Sequence, residues 1–347
     1  MRTALPLLRP LVAAALPLGV LACVAAATGQ APPAAPAPAG PWIWVSDEGS
    51  GDVALVDAAA GAVVARGRVP TGTRALRLDR DGRLYAAVSR SPAGHGPAVM
   101  QTAAGGADGI AVVDVATRQV VSILPSGQDP GAFDLVPGGR LLVVSSEETA
   151  TAAVVDLAAG RVAASVPVGA APAGVTAAPD GRLVAIATAH GLELVDPVAG
   201  RVVDRVPTCA RPRGVVFTPD GTHAFAACEE GAAVAVVDAA ARTPAGELAL
   251  PEGSRPAALA LDRDGHRLFV SNGRAGTVSA VDVASRRVVA TSAPFGQSVS
   301  GIAVAPDGRL YVADGPANVV HVLDARTLAV VRRIPVGEGP GAVAVSP

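Results

Sequence analysis

One short pattern recurs seven times along this chain and limits what it can fold into. The pattern is an apolar run that ends in aspartate, as in Ala54-Leu55-Val56-Asp57. The seven aspartates are Asp57, Asp114, Asp156, Asp196, Asp238, Asp282 and Asp324. Successive aspartates lie 57, 42, 40, 42, 44 and 42 residues apart. The chain therefore consists of seven units of similar length, as repeat architectures do.

A turn motif repeats in phase with these aspartates. It is Asp-Gly in five units and Gly-Gly in one: Asp81-Gly82, Gly138-Gly139, Asp180-Gly181, Asp220-Gly221, Asp264-Gly265 and Asp307-Gly308. Such dipeptides favour hairpin turns, and the apolar runs between the motifs have the length of strands. Four such runs fit each unit. The sequence therefore predicts an all-β fold, a seven-bladed β-propeller with four-stranded antiparallel blades.

The two ends of the repeat region complement each other. Trp42-Ile43-Trp44-Val45 matches the second strand of a unit, whereas residues 341–347 match an innermost strand. We predict that the C-terminal strand joins the first blade, which closes the ring and removes a free sheet edge. The predicted propeller spans residues 41–347. Its second blade carries an insertion from about 89 to 109, which includes His95 and which we interpret as a surface excursion.

The first 27 residues have the features of an export signal. Two arginines precede an apolar run from 11 to 27, which is too short for a typical membrane-spanning helix. Gly19-Val20-Leu21-Ala22-Cys23 resembles a bacterial lipobox, in which Cys23 would be lipidated, and cleavage after Ala27 is the alternative. Residues 28–40, rich in Pro and Ala, are predicted to form a linker. We therefore expect an exported protein of the periplasm or cell envelope, with or without a lipid anchor.

Composition excludes several classes of function. The sequence contains no lysine, which excludes lysine Schiff-base chemistry and a P-loop of the Gly-Lys type. Its 28 arginines and 30 acidic residues leave a formal charge of -2, so the chain lacks the basic field that nucleic acid requires. We expect a monomer whose partners are other exported proteins or a small anionic ligand, with no nucleic acid. Any membrane contact would be through the lipid at Cys23.

Three tetrapeptides in second strands resemble the signature of the YVTN-repeat β-propeller family. They are Trp44-Val45-Ser46-Asp47, Phe269-Val270-Ser271-Asn272 and Tyr311-Val312-Ala313-Asp314. Within that family, the segments 124–130, 211–221 and 315–318 are similar to propellers associated with PQQ-dependent alcohol catabolism and encoded beside an ABC-type exporter. This resemblance implies a non-catalytic, exported binding or accessory protein that serves PQQ-dependent alcohol oxidation and its export system.

Other functions remain open beside the accessory role. No nucleophile, base and orienting group stand at a recognisable spacing, so no catalytic residue is predicted. The alternative is a lactonase-like or quinoprotein-like enzyme, and a third interpretation is a surface adhesion module. A bound PQQ commonly stacks on a tryptophan and a vicinal disulfide, but the only tryptophans are Trp42 and Trp44, and no two cysteines are adjacent. We expect no required cofactor; PQQ or a metal ion stays open as an alternative, although no motif supports either.

Alignment of the repeats gathers two sets of loops around the central channel. They are the loops that follow second strands and the loops that enter each blade, and we call this side the channel face. The candidate ligand-binding residues there are Arg74, Arg211, Arg213, Arg255, Asp47, Glu147, His190, Glu229 and Asp314. The arginines suit an anion and the carboxylates suit a metal ion or a cationic partner. Ordinary surface charge is the alternative, since no metal-ligand spacing is visible.

Two cysteines, Cys209 and Cys228, remain after export. The repeat alignment puts both on the channel face of the fifth blade. An exported compartment favours a disulfide between them. Such a disulfide would close a loop of about 18 residues and contribute about 3 kcal/mol in the chain-entropy account. Free thiols with a metal-binding or catalytic role are the alternative.

Overall fold

A computed structural model describes residues 41–69, 72–89 and 108–346 of the chain. The predicted signal peptide with Cys23, the predicted linker at 28–40 and the part of the blade-2 insertion that holds His95 lie outside these residues. Within them, the only helix is a 3₁₀ turn, Gly273–Ala275. None of the described helical structure is long and apolar enough to cross a membrane.

Twenty-eight strands form seven antiparallel sheets of four strands each, which are the blades. The strands of each blade are given from the innermost outwards. Blade 1 consists of β28 (Pro340–Val345), β1 (Trp42–Asp47), β2 (Asp52–Asp57) and β3 (Ala62–Arg68), and blade 2 of β4 (Thr73–Leu78), β5 (Arg83–Val88), β6 (Gly109–Asp114) and β7 (Gln119–Leu124). Blade 3 consists of β8 (Pro130–Leu135), β9 (Leu141–Ser146), β10 (Thr151–Asp156) and β11 (Arg161–Pro167), and blade 4 of β12 (Val175–Ala177), β13 (Val184–Thr188), β14 (Gly191–Asp196) and β15 (Arg201–Pro207). Blade 5 consists of β16 (Pro212–Phe217), β17 (His223–Cys228), β18 (Ala233–Asp238) and β19 (Thr243–Ala249). Blade 6 consists of β20 (Ala258–Leu261), β21 (Arg267–Asn272), β22 (Thr277–Asp282) and β23 (Arg287–Thr291). Blade 7 consists of β24 (Val299–Val304), β25 (Arg309–Asp314), β26 (Val319–Asp324) and β27 (Val330–Pro335).

The blades close into a ring. Each innermost strand contacts the innermost strands of both neighbouring blades. Strand β28 pairs with β1 in antiparallel register, with Val345 opposite Ile43 and Val343 opposite Val45. The predicted seven-bladed propeller and its closure by the C-terminal strand are therefore confirmed.

The repeated aspartates and glycines shape the turns on the side opposite the channel face. Each of the seven aspartates accepts backbone hydrogen bonds from the turn that follows it, as Asp57 Oδ1 does from Ala59 N at 2.8 Å. Such bonds lower the pKa of Asp114, mainly through the backbone N–H of Thr117. In the hairpin turns, a glycine such as Gly221 has a φ of 71°, which side-chain-bearing residues rarely adopt.

The hydrophobic core consists of seven layers, one between each pair of neighbouring blades. Val, Ala and Leu dominate these layers because only 3% of the residues are aromatic. Fully buried Tyr311 lies between blades 7 and 1, and Phe133 lies between blades 2 and 3. Burial of each large apolar side chain contributes about 1.5–3 kcal/mol. The layers hold neighbouring blades in register, so the channel-face loops stand on a rigid support.

Candidate functional site

The last residue of the second strand lies beneath the loop that enters its blade. Asp47 in blade 1 and Asp314 in blade 7 hold this position, and both are 0% exposed. Asp47 Oδ2 accepts a hydrogen bond from Gly337 N at 2.9 Å, and Asp314 Oδ2 accepts one from Gln297 N at 2.9 Å. These two carboxylates, which the sequence analysis placed among the ligand-binding residues, are instead buried anchors of the loops.

Asp47 is held in an unusual electrostatic setting. Its Oδ2 is 2.9 Å from Arg66 Nη1, while Oδ1 is buried and has no hydrogen-bond partner among the described residues. Burial raises the pKa of Asp47 to about 6, and this outweighs the lowering effects of Gly337 N and Arg66. The carboxyl therefore titrates in a mildly acidic range without reaching solvent.

Asp314 forms a buried pair with His321 of the third strand. His321 Nε2 lies 3.2 Å from Asp314 Oδ2, and the exposed fractions of the two side chains are 2% and 1%. The ring of Phe295 meets the imidazole edge-on at 4.9 Å. Burial lowers the pKa of His321 more than Asp314 raises it, which favours the neutral imidazole. A pair so fully enclosed supports the loop and cannot meet a dissolved ligand.

Blade 5 anchors its entering loop covalently. Cys228 holds the strand-end position there and forms a disulfide with Cys209, with the two Cα atoms 5.7 Å apart. Cys209 stands two residues before Arg211, and Cys228 directly precedes Glu229. The disulfide therefore ties the segment that carries two arginines to the segment that carries two glutamates.

Three of the predicted arginines meet these glutamates in one place, which we call the blade-5 charge cluster. Its members are Arg211, Arg213, Arg255, Glu229 and Glu230. Glu229 Oε1 is 3.3 Å from Arg255 Nη2, and its Oε2 is 3.6 Å from Arg213 Nε. Glu230 Oε1 is 3.3 Å from Arg211 Nη1. Three guanidinium groups and two carboxylates leave one excess positive charge, which favours an anionic ligand.

Glu229 is the most enclosed member of the cluster. Its side chain is 24% exposed, whereas the side chains of Arg213 and Arg255 are 48% and 44% exposed. Its Oε2 is buried and accepts no hydrogen bond from the described residues, because Arg213 Nε lies beyond hydrogen-bonding distance. The carboxylate as a whole is not fully enclosed and keeps unused lone pairs, so it can accept a proton from a water or a ligand hydroxyl.

The fourth predicted arginine, Arg74, belongs to a separate group in blade 2. Its Nη1 is 3.0 Å from Oδ1 of Asp129, which also accepts a hydrogen bond from Ser89 Oγ at 2.7 Å. Burial raises the pKa of nearby Glu48, and the charge of Arg74 opposes that rise. Blade 2 and blade 5 are three positions apart in the ring, so the four arginines do not form the single anion site that their number suggested.

Glu147 and His190 are exposed on the channel face. Glu147 follows β9 in blade 3, and no ion pair among the described residues joins it to an arginine of the cluster. His190 follows Ala189, whose carbonyl oxygen accepts a hydrogen bond from Arg211 N at 3.4 Å. The loop of His190 therefore lies beside the blade-5 charge cluster, and the loop of Glu147 is elsewhere.

The described residues do not offer a recognisable metal or PQQ site. In the ranges 41–69, 72–89 and 108–346, no group of three His, Cys, Asp or Glu side chains is placed to hold a metal ion. Trp44 is 2% exposed in the layer between blades 1 and 2, and Trp42 packs against the same layer. Neither indole is therefore placed to stack on a planar quinone at the channel face.

A polar network on the innermost strands was missed by the sequence analysis. Arg77 Nε is 2.9 Å from Asp134 Oδ1, and Thr176 Oγ1 is 3.3 Å from Asp134 Oδ2. These residues come from blades 2, 3 and 4, so the network ties three consecutive blades together. The available signal was a charged residue between two apolar ones in an innermost strand, as in Leu76-Arg77-Leu78.

No protein-family model and no curated protein matches the sequence. Solved structures do match. The periplasmic gluconolactonase of Pseudomonas aeruginosa superposes with a TM-score of 0.70 at 21% identity, over 88% of this chain and 99% of that chain. The fold is that of the β-propellers. A protein described as a putative 6-phosphogluconolactonase of Bacteroides fragilis gives a TM-score of 0.69 at 15% identity, over 89% of this chain and 98% of that chain. Hydrazine synthase of Kuenenia stuttgartiensis gives 0.69 at 20% identity, over 81% and 91%.

These comparisons correct the functional expectation drawn from the sequence. The expectation was a non-catalytic accessory protein of PQQ-dependent alcohol oxidation. It is contradicted, because the similar propellers include proteins described as enzymes, among them two lactonases, and the comparisons favour the enzyme alternative. At these identities the likeness establishes the fold alone, and a particular activity depends on the residues of the site.

Proposed function

We propose that this β-propeller is a lactonase-type hydrolase that opens sugar-acid lactones at the blade-5 charge cluster. The observation that carries the proposal is the setting of Glu229. Its carboxylate lies 3.3 Å from Arg255 Nη2 and 3.6 Å from Arg213 Nε, and its side chain is 24% exposed. The two propellers described as lactonases support this choice of reaction class.

Glu229 is the general base in the proposed reaction. The carboxylate of Glu229, whose side chain is 24% exposed, accepts a proton from a water molecule, and the water oxygen attacks the lactone carbonyl carbon. The acyl carbon–oxygen bond of the ring then breaks. The proton passes from Glu229 to the departing ring oxygen, so one lactone and one water yield one hydroxy acid. This step needs neither a metal ion nor a quinone.

Arg213 and Arg255 stabilise the negative charge that develops in this reaction. Both guanidinium groups lie within 3.6 Å of the Glu229 carboxylate, so they border the volume that the attacking water would occupy. Their N–H groups would bind the oxyanion of the tetrahedral intermediate and then the carboxylate of the product. A small anionic product is consistent with the excess positive charge of the cluster.

The proposal also covers the cellular compartment of the protein and the repeat family to which it belongs. The disulfide between Cys209 and Cys228 supports an oxidising compartment, and thus export through the N-terminal signal with or without lipid at Cys23. The recurrent tetrapeptides support membership of the YVTN-repeat group, and similarity to its PQQ-associated branch concerns sequence only. We propose a monomer that binds a small anionic ligand.

The proposal is tested by hydrolysis of glucono-1,5-lactone, with spontaneous ring opening subtracted. Glu229→Gln keeps the shape of the side chain and removes the base, so kcat/KM should fall about a hundredfold or more. Glu147→Gln is the matched control, because Glu147 follows the second strand of blade 3 as Glu229 does in blade 5. Equal activity of both variants would overturn the assignment of Glu229.

A further inference from the structure

The loop that carries Arg211 has little support from its own backbone. Among the described residues, the only backbone–backbone hydrogen bond of segment 208–211 runs from Arg211 N to Ala189 O and is 3.4 Å long. The loop that enters blade 7 is better held. There Ser292 N and Phe295 N each donate to a carbonyl at 2.9 Å, and Asp314 accepts two further N–H groups. Besides the bond from Arg211 N to Ala189 O, segment 208–211 is held by the disulfide of Cys209, by packing of Cys209 against the core layer between blades 4 and 5, and by the ion pair of Arg211 with Glu230.

Arg211 adopts a left-handed backbone conformation, as the equivalent residues Asp129 and Ala171 do. Its φ is 53°, in the left-handed region, and it precedes Pro212. Residues with a Cβ avoid this region, and a following proline restricts them further. Asp129, before Pro130, has a φ of 45°, but its carboxylate is bonded to Ser89 and Arg74. Ala171, before Pro172, has a φ of 51° without a side-chain anchor, so the conformation belongs to the repeat and the disulfide is an additional constraint in blade 5.

The disulfide joins the two halves of the charge cluster. Arg211 and Arg213 lie two and four residues after Cys209, and Glu229 and Glu230 directly follow Cys228. We propose that Cys209–Cys228 is the positioning element of this site. It holds the arginine segment at the distance from the glutamates that binding of the lactone and its anionic product requires. The kinetic part of this inference depends on the proposed lactonase function, and the structural part does not.

The test compares wild type with the double variant Cys209→Ser/Cys228→Ser. Hydrogen exchange of segments 208–214 and 228–231 should become about tenfold faster, with the loop at 292–298 unchanged. KM for glucono-1,5-lactone should rise about fivefold and kcat should fall about twofold or more, because Arg213 loses its position and contributes to both substrate binding and oxyanion stabilisation. Asn318→Gly is the control. It removes the contact of Asn318 Oδ1 with Gly339 N at 2.9 Å, in another loop, and should leave KM unchanged.

Three results would overturn the inference. The first is unchanged exchange at 208–214 in the double variant. The second is faster exchange spread over all blades, which would make the disulfide a general stabiliser. The third is faster exchange confined to the loop with unchanged KM in an active enzyme. If wild type hydrolyses no lactone, the proposed function fails by itself, and the exchange data alone decide the positioning role.

Discussion

Glu229 in blade 5 and Glu147 in blade 3 occupy equivalent positions of the repeat, yet among the described residues only Glu229 contacts arginines. The difference arises from the innermost strand of the same blade and from the loop that enters the next blade. Arg213 corresponds to Gly131 of blade 3, and Arg255 corresponds to Ala171, before Pro172. A charge cluster has thus been built on one blade of a repeating scaffold by a few changes of side chain.

Arg213→Ala and Arg255→Ala test the role of the guanidinium groups. Each substitution should raise KM for an aldonolactone about tenfold and also lower kcat, because the lost donor binds both the ligand and the developing oxyanion. Arg182→Ala is a suitable control, since Arg182 is exposed in a hairpin turn on the opposite side of the ring. Kinetics indistinguishable from that control would remove the arginines from the site.

Asp47→Asn tests the raised pKa of the buried carboxyl. With a folded-state pKa of about 6 against an ordinary 3.8, the folded protein retains a proton that the unfolded chain releases between these values. The contribution of Asp47 to stability therefore falls as pH rises from 4 to 6, by about 3 kcal/mol. Urea unfolding across this range should show a smaller decline in the variant than in wild type. Parallel pH profiles of the two proteins would contradict the shift.

Alanine substitutions of Gly160 and Gly200 distinguish the cost of backbone strain from the cost of steric overlap. Both lie at the same turn position with φ of 62° and 63°. A Cβ on Gly160 would meet nothing within 4 Å, whereas one on Gly200 would lie 2.7 Å from Ala164 Cβ. Gly160→Ala should cost about 1 kcal/mol through its left-handed backbone, and Gly200→Ala should cost about 1–3 kcal/mol more. Equal unfolding free energies of the two variants would show that the turn adjusts freely.

Removal of residues 341–347 tests closure of the ring. The deletion removes most of β28, which leaves β1 without its inner partner and takes Val343 and Ala344 out of two core layers. The melting temperature should fall by about 10 °C or more. A chain that ends at 346 is the control. An unchanged melting temperature after the longer deletion would mean that the ring does not depend on this strand.

The fold was predictable because several local signals agree. The period of the aspartates, the Asp-Gly turns and the complementary chain ends all require the same ring. The site was predictable in residue type only. Whether Asp47 lines the channel or lies beneath a loop depends on Gly337 N, nearly three hundred residues away in sequence. The network of Arg77 and Asp134 was missed because each charge, viewed alone in an apolar strand, had no visible partner.

The most direct measurement of the central claim is the initial rate of glucono-1,5-lactone hydrolysis by the purified protein, followed by proton release in a weakly buffered solution. The account predicts a rate above spontaneous ring opening that rises in proportion to protein concentration and saturates with lactone. Glu229→Gln should reduce that rate nearly to the spontaneous level. A rate equal to that of buffer at every protein concentration would contradict the proposed function.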